Sequence, residues 1–339
     1  MKDKIIIAVD AMGGEGAPKK VIDGIVLHLK KNNDVFYKIF GNKFELEQLL
    51  LNKINKNNFE LIHTEDKVLD KDSALEGAKK SKKTSMWMAV ESVKNKDSDI
   101  VISAGNTGAL FVISKLNFKM IDSIDKPALS GLWPNKYGMN VVLDLGANIE
   151  CSEKNLVDFC IMGASLHKAL FPDEKSKVAL LNIGSEDIKG HELIRSAYQK
   201  INNIKDYDFE FSGYIEGNNI MNGDVNVIVT DGFTGNIALK TAEGTANFIT
   251  EELKKSLSSN IISKFLALLN MRSLKKFKQK LDPRKYNGAI LIGLTSPVVK
   301  SHGATDYLGF SNSLDLCEKI VKNRLINKIK ENIHKWELI

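Results

Sequence analysis

Two short apolar runs that break into the same kind of turn constrain this chain more than any other feature. Ile100-Val101-Ile102-Ser103 passes into Ala104-Gly105-Asn106-Thr107-Gly108-Ala109-Leu110, and Val227-Ile228-Val229-Thr230 passes into Asp231-Gly232-Phe233-Thr234-Gly235-Asn236-Ile237. A β-branched run of this length reads as a buried parallel strand, and the residues beyond each turn suit a helix. Such a junction presents free backbone N–H groups and the positive end of a helix dipole to one point in space. Glycine lets a ligand approach the backbone, and Asn and Thr add uncharged donors. The chemistry that suits such a place is a phosphate or a developing oxyanion.

The rest of the chain alternates in the same way. Ile5–Val9, Val35–Phe40, Phe59–Ile62, Ile100–Ser103, Met139–Leu143, Val178–Ile183 and Val225–Val229 read as strands. Between them, helical patterns cover about 18–31, 44–51, 84–94, 107–117, 153–170 and 189–201, and one long helix is expected over about 306–335. This order argues for right-handed βαβ crossovers and a mainly parallel sheet with helices on both faces. No repeat of fixed period and no low-complexity linker divides the 339 residues, so a single domain over 1–339 is expected.

Composition narrows the function classes. Cys151, Cys160 and Cys317 form no Cys-x-x-Cys pair, which fits a reduced compartment and no cysteine-based zinc site. Ile5–Val9 is too short for a signal-peptide core and no cleavage site follows, so export is not expected; no apolar stretch is long enough to span a bilayer. The net charge of +6 is almost all lysine, because only Arg195, Arg272, Arg284 and Arg324 are arginine. Bidentate recognition of bases is therefore scarce, which argues against a nucleic-acid partner.

Further polar turns follow the other strands. Asp10-Ala11-Met12-Gly13-Gly14-Glu15-Gly16-Ala17-Pro18 is neither a dinucleotide fingerprint nor a Walker-type phosphate loop. Asp144-Leu145-Gly146-Ala147-Asn148 and Asn182-Ile183-Gly184, with Lys189 and Gly190 behind it, complete a set expected at one ligand-binding edge of the sheet. Lys240 lies four residues after Asn236, on the same helical face. Lys300-Ser301-His302-Gly303 holds the one histidine in a Gly-containing turn after a strand, a candidate general acid or phosphate donor; a structural histidine is the alternative. His28, His63, His167, His191 and His334 have no clustered acidic partners, so no metal site is expected. No nucleophile elbow or Cys–His pairing is present, which suits a reaction whose substrate brings its own nucleophile, such as inorganic phosphate.

From Leu253 to Leu281 the chain holds eight basic residues and no acidic one. Ile261, Ile262, Phe265, Leu266, Leu268 and Leu269 follow helical spacing there. A basic amphipathic helical hairpin suits an anionic membrane or an acidic partner, unless its apolar face is packed in a core or a dimer.

Taken in order, Asp10–Pro18, Ser103–Leu110, Leu143–Glu150, Asn182–Gly190, Asp231–Gly244 and Lys300–Gly303 resemble the signature blocks of the bacterial phosphate acyltransferases, over nearly the whole chain. Ser103–Gly108 and the run Asp231–Gly244 carry the resemblance most specifically. Glu15 in place of Asp, Trp87 and Thr295-Ser296-Pro297 depart from the pattern without removing a turn. The resemblance implies a three-layer α/β/α sandwich similar to phosphotransacetylases and the isopropylmalate dehydrogenase group. It implies synthesis of acyl-phosphate from acyl-acyl-carrier-protein and inorganic phosphate for glycerophospholipids, with no cofactor. It further implies a homodimer, a cytoplasmic protein peripherally associated with the membrane, and a downstream glycerol-3-phosphate acyltransferase. A CoA-dependent phosphotransacetylase, a dehydrogenase of similar fold, and a non-catalytic anion-binding or membrane-scaffold protein are the rivals.

The expected site places phosphate between the turn Gly105, Asn106, Thr107, Gly108 and the turn Asp231, Gly232, Thr234, Gly235, Asn236, with Asn148 nearby. Lys240 or Lys300 supplies counter-charge, Lys189 is a further candidate, and His302 or solvent protonates the leaving thiolate. Lys264, Phe265, Leu268, Leu269 and Arg272 are the expected membrane or carrier contacts.

Overall fold

The computed structural model describes residues 4–32, 34–51, 53–203, 208–280 and 282–337. Its N-terminal part runs β1 (Ile5–Asp10), α1 (Lys19–Leu29), β2 (Val35–Gly41), α2 (Lys43–Leu50), β3 (Phe59–His63), α3 (Ala74–Lys79), α4 (Ser85–Lys94), β4 (Ile100–Ser103) and α5 (Thr107–Asn117). The chain continues with β5 (Ala128–Pro134), β6 (Met139–Leu143), α6 (Glu153–Leu170), β7 (Lys177–Asn182), α7 (Glu192–Asn202), β8 (Glu210–Glu216) and β9 (Val227–Val229). It closes with α8 (Gly232–Leu257), α9 (Ile261–Leu269), α10 (Met271–Lys280), β10 (Ala289–Ile292), β11 (Val298–Lys300), α11 (Tyr307–Lys322) and α12 (Leu325–Glu337). The single long C-terminal helix expected from the sequence is thus two, broken where Arg324 adopts φ of 51°.

The eleven strands form one sheet in the order β3-β2-β1-β4-β11-β10-β5-β6-β9-β7-β8. β3, β2, β1, β4 and β11 are mutually parallel, and so are β6, β9, β7 and β8. Between the two sets, β10 and β5 pair antiparallel with both neighbours. Three antiparallel pairings reverse direction, so the two sets point opposite ways. The strand ends after β1, β4 and β11 therefore lie at one edge and those after β6, β9 and β7 at the other. This corrects the expectation of a single ligand-binding edge. The reversal is created by β5, β10 and β11, three strands beyond those expected from the sequence.

Alternating strand residues divide between the two faces, as period-two pleating requires. Ile7, Val9, Ile100, Ile102, Val141, Leu143, Val227, Val229, Ile290, Ile292 and Val299 enter one continuous core with α1, α6, α11 and α12. On the opposite face the core is split. Ala8, Val101, Leu291 and Val298 pack with α4 and α5, whereas Val142 and Ile228 pack with Ala238, Leu239 and Ala242 of α8. The middle strands β11, β10 and β5 lie at the seam between these clusters. The fold is a three-layer α/β/α sandwich whose second helical layer leaves a gap over the middle of the sheet.

Candidate active site

The gap is a groove of about 270 Å³ lined by Ala74, Thr107, Gly108, Leu110, Phe111, Val112, Leu129, Gly146, Ala147, Leu291, Val298 and Lys300. Strand register explains its floor, since Leu291 pairs with Val298 on one side and with Leu129 on the other. The three side chains form one apolar row across β11, β10 and β5. α5 supplies one wall, and the loop after β6 closes the far end. Lys300, two residues past Val298 and so on the same face, is the one charged side chain in the lining.

Around Lys300 the loops interlock closely. A Cβ on Gly13 would stand 2.6 Å from the Gly105 nitrogen, and one on Gly14 (φ +86°) would stand 2.6 Å from the Ala104 carbonyl oxygen and 3.0 Å from Lys20 Nζ. Lys300 Nζ donates to the Ala104 carbonyl at 3.3 Å and to that of Ser301, while Lys20 Nζ donates to the Gly303 carbonyl. The two ammonium groups thus flank the same short stretch of backbone. Neither has a carboxylate within ion-pair distance among the described residues. Burial, and then the Lys20 charge, hold Lys300 down to about 8; burial also lowers Lys20. Asp70 acts on both lysines from beyond ion-pair distance, with Glu15 on Lys20 and Asp10 on Lys300, yet burial outweighs them, so an anion held directly between the two cations would be favoured.

Beneath them Asp10 is buried and accepts hydroxyl bonds of 2.6 Å from both Ser85 and Ser103. The Ser103 oxygen in turn accepts the Gly105 N–H at 3.0 Å. Burial raises the Asp10 carboxyl above its usual value despite these donors. The chain Asp10–Ser103–Gly105 sets the shape of the turn that precedes α5. At the start of α5, the Asn106 side chain caps the helix by accepting from Ala109 at 2.9 Å and donates to the Asp72 carbonyl at 2.7 Å. The Thr107 and Gly108 amides have no acceptor among the described residues, as first-turn amides do not. They open into the groove beside Lys300.

His302 stands exposed at the rim, with its backbone N–H fixed to Asn287 Oδ1 at 2.9 Å. Its Nδ1 accepts from the Ala304 N–H at 3.3 Å, which leaves the proton on Nε2. Surrounding protein and the Lys300 charge hold it below the usual imidazole value, while Glu243 and Lys240 act on it with opposite sign.

The far end of the groove is built differently. Asp144 Oδ1 accepts from the Leu129, Gly146 and Ala147 amides, and Oδ2 from the Asn148 amide and side chain at 2.8 Å each. Asp231 caps α8 by accepting both the amide and hydroxyl of Thr234, at 2.8 and 2.7 Å. The Gly232 amide donates to Asn148 and the Gly235 amide to Asp231. A Cβ on Gly235 would fall 2.0 Å from the Asp144 carbonyl oxygen, so the two turns interlock only through glycine. These donors are already taken, and two carboxylates occupy this end.

The comparisons agree with this architecture. Residues 5–328 match the family described as Fatty acid synthesis protein. The "Phosphate acyltransferase" of Pelagibacter ubique is 66% identical over 98% of this chain and 100% of its own length. That of Paramagnetospirillum magneticum is 39% identical over 98% and 94%. The chain belongs to the phosphate acyltransferase family. The enzyme therefore takes phosphate and an acyl donor in lipid synthesis. Among solved structures, the EutD phosphotransacetylase from Staphylococcus aureus superposes with a TM-score of 0.60 at 15% identity, over 94% of both chains. A phosphotransacetylase from Streptococcus pyogenes gives 0.58 at 16% identity, over 98% and 95%. These likenesses show the shared α/β/α fold.

The structure brings Gly105, Asn106, Thr107, Gly108, Lys300 and His302 together at one end of the groove. Asn148, Asp231, Gly232, Thr234, Gly235 and Asn236 gather at the other, where Asn236 faces Gly146. The groove thus lies between the two turns, with Thr107, Gly108 and Lys300 in its lining at one end and Gly146, beside Asn236, at the other. Lys240 is exposed on α8 and ion-paired with Glu243 at 2.7 Å. Lys189 is exposed beyond β7, its carbonyl held by Asn182. Its strand is five places from β11 in the sheet and runs the opposite way, so it does not join the Lys20–Lys300 pair. Sequence reasoning missed Lys20, which looks like any lysine in a first helical turn. The signal was its place just after the Gly13–Gly16 turn, where a buried cation is unfavourable without an anion.

The basic segment is not packed in a core. Phe265, Leu268 and Leu269 are 59, 58 and 68% exposed, and Ile261 and Ile262 more so. Lys264 and Arg272 lie on the same exposed helices, and Leu281 lies outside the described residues. No helix among the described residues is long and apolar enough to cross a membrane.

Proposed function

We propose that the enzyme transfers a fatty acyl group from acyl-acyl-carrier-protein to inorganic phosphate, giving acyl-phosphate and the free carrier thiol. The observation that carries this reading is the Lys20–Lys300 pair, largely shielded from water and without a carboxylate in ion-pair contact, at the polar end of an apolar groove. A dianionic phosphate between the two ammonium groups relieves their repulsion. One of its oxygens attacks the thioester carbon. The Thr107 and Gly108 amides, at the positive end of α5, stabilise the oxyanion that forms. The C–S bond then breaks, the acyl–oxygen bond remains, and the thiolate takes its proton from solvent, with the His302 Nε2–H placed to donate a hydrogen bond to it. On this reading phosphate lies nearer to Lys300 than a position shared with Thr234 and Asn236, where the Asp144 and Asp231 carboxylates stand behind the turns.

Acyl carrier proteins are acidic, and the lysine-rich surface, including Lys240 at the rim, steers their docking. The exposed apolar residues of α9, flanked by lysines, contact the membrane surface peripherally. The test is release of thiol from palmitoyl-acyl-carrier-protein with and without phosphate, trapping product with hydroxylamine. Phosphate-dependent release with a hydroxamate product is expected. Equal release without phosphate would make the protein a thioesterase; release only from acyl-CoA would favour a phosphotransacetylase.

A further inference from the structure

We propose that the donor's acyl chain lies along the floor of the groove, from Lys300 across Val298, Leu291 and Leu129 to Ala147, and that Ala147 limits chain length. The inference rests on the reading above, because the chain is the tail of the thioester whose carbonyl stands beside Lys300. Three observations support this path. The floor is one cross-strand row of apolar side chains fixed by register, with Val298 and Leu291 anchored in the α4–α5 cluster and Leu129 packed against the α8 cluster, and all three line the groove. The walls are apolar too, with Ala74, Leu110, Phe111 and Val112 on the α3–α5 side. Within the lining the polarity is one-sided, since the only charged lining residue is Lys300; Asp144 and Asp231, behind the far end, are outside the lining and turn their oxygens to amides and the Thr234 hydroxyl. A molecule with an anionic or carbonyl head and a long hydrocarbon tail matches that asymmetry, whereas a polar pantetheine arm does not.

The geometry also says where length is read. From β11 to the loop after β6 is three strand spacings, roughly 14 Å of floor at about 4.8 Å each. At its end, Asp144 gathers the Gly146, Ala147 and Asn148 amides and so fixes the loop that carries Ala147. Short chains end before this loop and long chains must pass it. A larger side chain at 147 obstructs only the second kind. Phe111 stands on the wall, partly buried against the α4–α5 cluster, and its truncation widens the path.

The experiment measures kcat/KM for butyryl-, octanoyl- and palmitoyl-acyl-carrier-protein at saturating phosphate, in the unaltered enzyme, Ala147→Leu and Phe111→Ala. The expected result for Ala147→Leu is a loss of about tenfold or more with the palmitoyl donor. The butyryl donor and the KM for phosphate should stay within twofold of the unaltered enzyme, roughly the scatter such sites show. Phe111→Ala should shift the preference toward the longest donor. If Ala147→Leu lowers all three donors equally while keeping the phosphate KM, the groove holds the carrier arm and the inference is overturned. An unchanged length profile in both variants overturns it as well. If the unaltered enzyme shows no phosphate-dependent release with any donor, the functional reading itself fails.

Discussion

Replacing Lys300 by methionine separates its cost to the fold from its use in the site. In the folded chain Lys300 is held to about 8, first by burial and then by Lys20. In the unfolded chain it returns to about 10.4. The unfolded state therefore binds more protons between these values, and the stability of the unaltered protein rises with pH across that window. Below about pH 8 the penalty is fully present, at most about 3 kcal/mol; near about pH 9.5 it shrinks to about 1 kcal/mol. The Lys300→Met variant has no such dependence. Loss of the bonds to the Ala104 and Ser301 carbonyls adds a term that does not change with pH, so it cancels in the comparison. Urea denaturation of both proteins in phosphate-free buffer at about pH 7 and about pH 9.5 should show the unaltered protein gaining about 2 kcal/mol on Lys300→Met. A difference between the two proteins that stays constant with pH would refute the reasoning, because Lys300 would then titrate as an ordinary exposed lysine.

Three further outcomes follow from the same geometry. Lys20→Met should raise the KM for phosphate about 10- to 100-fold, the worth of one charge-assisted contact, and move the alkaline limb of activity upward because the charge depressing Lys300 is gone; an unchanged KM and limb would remove Lys20 from the site. Gly235→Ala should lower the melting temperature sharply, since its methyl would overlap the Asp144 carbonyl, at a cost of about 1–3 kcal/mol or more by calorimetry. Phe265→Glu with Leu268→Glu should abolish co-sedimentation with anionic vesicles while leaving the melting temperature unchanged, because both side chains are exposed already.

The parts of the site legible in the sequence are those whose chemistry is local. Gly105–Gly108, the Asp231 cap and the Lys300–Gly303 turn each announce themselves by a strand that ends in glycine beside a donor. The basic, apolar run of α9 was visible as an amphipathic pattern, and its exposure follows from having no facing element. What stayed hidden depends on topology. Lys20 belongs to the site only because β1 and β11 each pair with β4, which sets their two loops against each other. The separation of the two look-alike turns comes from β10 and β5, strands whose antiparallel pairing no local pattern encodes. The side chains of Asn106, Asn148 and Thr234 read as free donors, yet each is engaged: Asn106 donates to the Asp70 and Asp72 carbonyls, Asn148 to the Pro127 carbonyl and Asp144, and Thr234 to Asp231.

The most direct test of the account is a crystal structure of the enzyme with inorganic phosphate bound. The account expects the anion within hydrogen-bond distance of both Lys20 Nζ and Lys300 Nζ, with the Thr107 and Gly108 amides facing it. Phosphate seated instead at Thr234 and Asn236, with the lysine pair left without it, would contradict the account.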